Sequence, residues 1–158
     1  MTHGATPAAA VSESANGDEL LRRPSLARLA AAVERSWDRR TAYLGASRPG
    51  NPAFGQCYPT ARVVQWFFPE TEIASGKVNT GSGIEAHFWN VERSAGGLIY
   101  IDLSWYIDLS WQQFPRGSRV TEFELLDRSA LGDSQTTIAR CRLLLERVLA
   151  LLAQEQVG

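Results

Sequence analysis

The sequence predicts an α+β fold: a small antiparallel sheet packed against helices. Three observations lead to this. The segment Ser134 to Gln154 carries an apolar stripe at helical spacing, formed by Ile138, Cys141, Leu144, Leu145, Val148, Leu151 and Leu152. A second apolar helical pattern lies near the other end, around Leu26, Leu29, Ala30, Val33 and Trp37. Between them run short segments rich in β-branched and aromatic residues, separated by Gly-, Pro- and Asn-containing turns. Helices at both ends with a meander between them point to α+β.

A chain of 158 residues reads as one domain, long enough to bury a core without covalent staples. Residues 1–17, rich in Ala, Ser, Thr and Gly, read as a disordered tail, and 18–158 as the domain. Helical character is expected from Asp18 to about Thr41, with Ser25 as a cap after Pro24. Gly45 to Gly55, with Pro49, Gly50, Asn51 and Pro52, is a loop. A helix should begin at Cys57, because Pro59 is tolerated only in a first turn, and end before Pro69. Strands are expected over 73–78, 84–91, 98–103 and 120–125, with Ser94-Ala95-Gly96-Gly97 as a hairpin turn.

Tyr100-Ile101-Asp102-Leu103-Ser104-Trp105 runs directly into an identical hexapeptide, residues 106–111. Two copies of six residues are too few and too short for a solenoid. The expectation is a local duplication, one copy filling a strand beside His87 and the other accommodated nearby. Its Tyr, Ile, Leu and Trp side chains should fold back over apolar surface or support self-association with a second chain.

The net charge is −1 with both signs interspersed, which argues against nucleic acid or an anionic membrane as the partner. No apolar run approaches the ~18 residues that span a bilayer. Two cysteines, Cys57 and Cys141, make no disulfide framework. Residues 1–17 lack the pattern of a secretory leader, so a cytoplasmic location is expected.

Chemistry concentrates in the middle. A thiol at a helix start meets free N–H groups and a partial positive charge, which lower its pKa and can hold an oxyanion. Cys57 has that placement, with Gln56 as a neighbouring amide donor. The bland alternative is a buried structural cysteine. His87, on a predicted strand, is the only histidine besides His3, and histidine is the usual general base near neutrality. Its bland alternative is a packed strand residue. An aspartate would orient the imidazole. If the hairpin turns near residues 95 and 96, His87 faces a position near 104, which favours Asp102 and keeps Asp108 as the alternative. A zinc site is a weak reading, since no paired spacing such as C-x-x-C occurs. No glycine loop cradles a phosphate, and no cofactor is expected. The order of a thiol on a helix start, then histidine, then aspartate on successive strands is shared by papain-like and transglutaminase-like enzymes, and it predicts a core of that kind.

Several pieces together resemble the small bacterial family typified by the YunG protein. They are Ser36-Trp37-Asp38, Asn51-Pro52-Ala53-Phe54-Gly55-Gln56-Cys57, Thr60-Ala61, Val63-Val64-Gln65, His87-Phe88-Trp89-Asn90, and Ile107-Asp108-Leu109-Ser110-Trp111-Gln112-Gln113-Phe114. They span about residues 36 to 116. The resemblance supports Cys57, His87 and one aspartate as a site. A chain of the family's pattern would hold one Ile-Asp-Leu-Ser-Trp unit running into Gln-Gln-Phe. Here the first copy keeps the spacing from His87 and the second keeps the Gln-Gln-Phe neighbour. The expected activity is that of a cysteine hydrolase or acyltransferase. Cys57 would attack a small-molecule or peptide acyl group, His87 would shuttle the proton and Asp102 would hold the ring. The alternative is a non-catalytic binding or regulatory protein that keeps the scaffold.

Overall fold

The structure, a computed structural model, describes residues 23–94, 97–98, 110–130 and 132–155. Among these are three helices and a four-stranded antiparallel sheet, on which the Cys57 helix packs. The helices are α1 (Leu26–Ser36), α2 (Cys57–Phe67) and α3 (Gln135–Glu155). The strands are β1 (Thr71–Asn79), β2 (Ile84–Ser94), β3 (Gly97–Leu98 among the described residues) and β4 (Arg119–Leu125), in the order β3-β2-β1-β4. The α+β class and the antiparallel sheet stand as expected.

Helix α1 starts where Ser25 accepts the Arg28 N–H at 3.2 Å. It ends at Ser36, short of Thr41, because the next residues give the backbone other partners. Asp38 accepts the Arg40 N–H at 2.8 Å, and Thr41 Oγ1 accepts the Asp38 N–H at 3.0 Å. Such local side-chain bonds compete with helix continuation. Arg147 of α3 fixes the end from outside, donating to the Ser36 carbonyl and pairing with Asp38, each at 2.9 Å. The segment before Arg23 lies outside the described residues, including the expected tail.

One apolar core joins the three helices. Leu29 and Val33 of α1, Val63 and Val64 of α2, and Leu144 and Val148 of α3 are fully or almost fully buried in it. A smaller cluster, Ala74, Trp89 and Val91 with Phe123 and Leu125, covers one face of the sheet. Cys141 is not sealed in the helix core as its place on the stripe implied. It is partly exposed and lines a surface cavity with Arg62 and Asp133.

The register of β2 decides which side chains can share a site. Neighbouring strand residues point to opposite faces. Phe88 meets Tyr58 of α2 edge-on, ring centres 4.9 Å apart, and Asn90 donates to the Ala61 carbonyl of α2 at 2.9 Å. So Phe88 and Asn90 face the helices. His87 and Trp89 face the other way, their rings stacked with centres 5.6 Å apart. Gly76 is the partner of His87 on β1. A Cβ there would stand 2.5 Å from the Glu122 carbonyl oxygen and 2.6 Å from the Trp89 ring, so only glycine lets Trp89 lie flat across the sheet.

Arg93 pairs with Leu98 and Ser94 with Gly97, which centres the β2–β3 turn on residues 95 and 96 as expected. Residues 99–109 lie outside the described set. They include Asp102, Asp108 and most of the duplicated hexapeptides.

Candidate functional site

Cys57 is the first residue of α2 and is partly exposed. That matches the expectation of a thiol at a helix start. No side chain caps this helix. Gln56, the residue expected to help an oxyanion, is held at both ends of its amide. It is 2% exposed, its Nε2 donates to the Asp38 carbonyl and its Oε1 accepts from Thr41 Oγ1, each at 2.8 Å. Both ends of its amide therefore pin the 38–41 turn to the start of α2, where burying them unpaired would be costly.

His87 has no exposed surface. Besides Trp89, its ring meets Phe114 at 4.7 Å and Trp111 at 5.9 Å, both edge-on. Gln113 Nε2 lies 3.3 Å from His87 Nδ1 and 3.2 Å from the Ser110 carbonyl oxygen. The Ser110 carbonyl accepts both the Gln113 backbone N–H, at 3.1 Å, and Nε2, which turns the amide nitrogen of Gln113 inward. Nδ1 is then the acceptor, and in the neutral ring the proton sits on Nε2. Gln113 is itself anchored, its carbonyl accepting from Asn51 Nδ2 at 2.7 Å.

The structure thus brings His87 together with Ser110 and Trp111, which end the second hexapeptide, and with Gln113 and Phe114 just beyond it. Helix α2, which carries Cys57, packs on the Phe88–Asn90 side of β2, and the His87 ring emerges on the Trp89 side. Both candidate aspartates lie outside the described residues. Gln113 was not among the residues that side-chain chemistry singled out, because a glutamine is a poor candidate for proton transfer. The signal was present in the Gln-Gln-Phe run directly after the second copy.

A further polar group lies on the helix side. Tyr58 donates to Asp133 at 2.5 Å, and Arg62 pairs with the same carboxylate at 3.4 Å. Burial, with the adjacent Asp133 carboxylate, pushes the Tyr58 hydroxyl well above its usual range, so it stays protonated. Burial likewise pushes the Cys141 thiol up to about 11. Among the described residues no group of three His, Cys, Asp or Glu side chains is placed to hold a metal ion. No described helix is long and apolar enough to cross a membrane.

Searches of curated proteins and of solved structures each return no match to this chain. A family model described as YunG protein matches residues 25–153, a longer stretch than the motifs alone suggested and more than three quarters of the chain. It runs from the cap of α1 through the Cys57 helix, the His87 strand and the Gln113 turn into the last helix, and the chain belongs to the YunG protein family.

Proposed function

We propose that this chain is a non-catalytic binding protein on a helix-on-sheet scaffold, with His87 as a structural residue rather than a base for Cys57. The observation that carries the reading is the enclosure of His87. Its ring has no exposed surface, aromatic rings of Trp89, Trp111 and Phe114 surround it, and Gln113 occupies Nδ1. A general base must reach the proton it takes, directly or through one water. A ring turned to the Trp89 side of the sheet is poorly placed to serve a thiol on α2.

A second reading keeps the thiol enzyme, and one observation favours it. Cys57 is a partly exposed thiol at the start of an eleven-residue helix that no side chain caps. In that reading Cys57 Sγ adds to an acyl carbon. His87 takes the thiol proton and returns it to the leaving group, and Asp102 or Asp108 orients the ring. Water or a second nucleophile then releases the acyl group.

The rate of Cys57 alkylation by iodoacetamide, tracked against pH in the native chain and in His87→Gln, separates the two. The binding reading expects an alkylation profile that the substitution leaves in place. The enzyme reading expects alkylation much faster than that of a free small thiol at neutral pH, lost in the variant.

A further inference from the structure

We infer that the cleft between the start of α2, strand β2 and the first turns of α3 binds a small organic carboxylate with an aromatic or branched apolar body. This rests on the binding reading above and gives it a site and a ligand class. The cleft has a volume of about 400 Å³, and Tyr43, Tyr58, Phe88, Asp133, Thr137 and Arg140 are among the residues lining it. That size suits a small organic molecule.

The walls supply the apolar half of the recognition. Tyr58 and Phe88 meet edge-to-face and form a fixed aromatic floor. Tyr43 stands at the rim, 59% exposed, and Leu44 beside it is 78% exposed. Leu44 is held at φ 51°, a left-handed conformation that a leucine adopts only under local constraint. The chain keeps the Tyr43 ring in solvent at the mouth of the cleft, where a bound apolar body would cover it.

The polar half selects the charge. Asp133 is already committed to the Tyr58 hydroxyl and to Arg62, and so is not a free anion in the cleft. Tyr58 keeps its proton and adds no charge. Arg140 is different. Its Nη2 donates to Thr137 Oγ1 at 2.9 Å and its guanidinium lies 5.4 Å from the centre of the Tyr43 ring. It pairs with no carboxylate among the described residues, and its Nε is buried without a hydrogen-bond partner. A ligand carboxylate would satisfy Nε and Nη together in the bidentate geometry that guanidinium favours. The start of α3, a helix of 21 residues, adds a partial positive charge on the same side. One unpaired guanidinium suits a monoanion. A phosphate dianion would call for more cationic groups than the cleft provides.

The test is a ¹H–¹⁵N NMR titration of the full chain with phenylacetate, its neutral analogue phenylacetamide, and inorganic phosphate. Saturable shifts should appear for phenylacetate at Tyr58, Phe88, Thr137 and Arg140. Phenylacetamide should bind about tenfold more weakly, and Arg140→Gln should cost phenylacetate about the same factor, the loss expected for one charge-assisted pair. Tyr43→Ala should weaken binding without removing the preference for the anion. No saturable shifts, shifts mapping elsewhere, equal affinity for the amide, tighter binding of phosphate, or unchanged affinity in a folded Arg140→Gln chain would each overturn the inference. The two failures are distinguishable. A flat titration removes the carboxylate site, whereas fast, His87-dependent alkylation of Cys57 removes the binding reading on which it rests.

Discussion

Gln113 Nε2 bridges His87 Nδ1 and the Ser110 carbonyl, at 3.3 and 3.2 Å. One amide thus ties the strand that carries the histidine to the turn at the end of the duplicated segment. Asn51 extends the tie to the loop that leads into α2 by donating to the Gln113 backbone. The bridge is buried, with Gln113 8% and Ser110 1% exposed.

Gln113→Ala should therefore destabilise the fold by about 2 kcal/mol, because it strips the buried Nδ1 of its side-chain donor, while the Ser110 carbonyl keeps the backbone N–H of residue 113. Urea unfolding should show a lower midpoint at unchanged slope. A variant as stable as the native chain would mean that the bridge contributes nothing net.

Gly76→Ala should cost about 3 kcal/mol, the upper end of the usual penalty for forcing an extra group into a packed region. The new Cβ would meet backbone at Glu122 and the Trp89 ring at distances real Cβ atoms do not adopt. Backbone cannot swing aside as a long side chain can. Thermal unfolding should fall by several degrees, and the near-ultraviolet signal of Trp89 should change with it.

Much of the fold was legible in the sequence because each element carried its own local signal. Ser25 and Pro59 marked helix starts, Pro69 marked a stop, and the stripe around Leu144 and Val148 marked the last helix. The end of α1 was overextended because Trp37 continues the apolar spacing, while Asp38 and Thr41 break the helix through side-chain bonds that periodicity does not register. The site was less legible. Residue chemistry singled out Cys57, Gln56 and His87, but alternation along β2 decides which face each strand residue serves. That face is fixed by Gly76, Phe88 and Asn90 together, not by the histidine.

The two cysteines should separate by pH. Burial raises the Cys141 thiol from 9.0 to about 11, so iodoacetamide at about pH 8 should label Cys57 well before Cys141. The same shift makes stability depend on pH. A raised folded-state pKa favours the folded chain's neutral thiol. Its contribution is complete below the unfolded value of 9.0 and is lost as pH rises toward about 11. Stability should fall across that window by at most about 2 kcal/mol, and Cys141→Ala should flatten that part of the profile. Faster labelling of Cys141, or the same slope in the alanine variant, would contradict the burial account.

Reducing the duplicated hexapeptide to one copy should leave the fold intact. Removing residues 100–105 or 106–111 yields the same sequence, in which one Tyr-Ile-Asp-Leu-Ser-Trp unit runs into Gln112, Gln113 and Phe114. The groups seen to hold His87 are Ser110, Trp111, Gln113 and Phe114, all of which such a chain retains. Taking six residues out of a loop changes its closure entropy by about 1 kcal/mol or less. The single-copy chain should therefore fold and stay within about 1 kcal/mol of the native one, and its His87 ring signals in NMR should keep their positions. Loss of cooperative unfolding would mean that both copies are needed. The same spectra can identify the aspartate. The hairpin register centred on residues 95 and 96 favours Asp102, whereas the anchoring of Ser110 and Gln113 brings the end of the second copy to the histidine. If the register governs, Asp102→Ala moves the His87 signals and Asp108→Ala leaves them in place. The reverse result would make the first copy the inserted one.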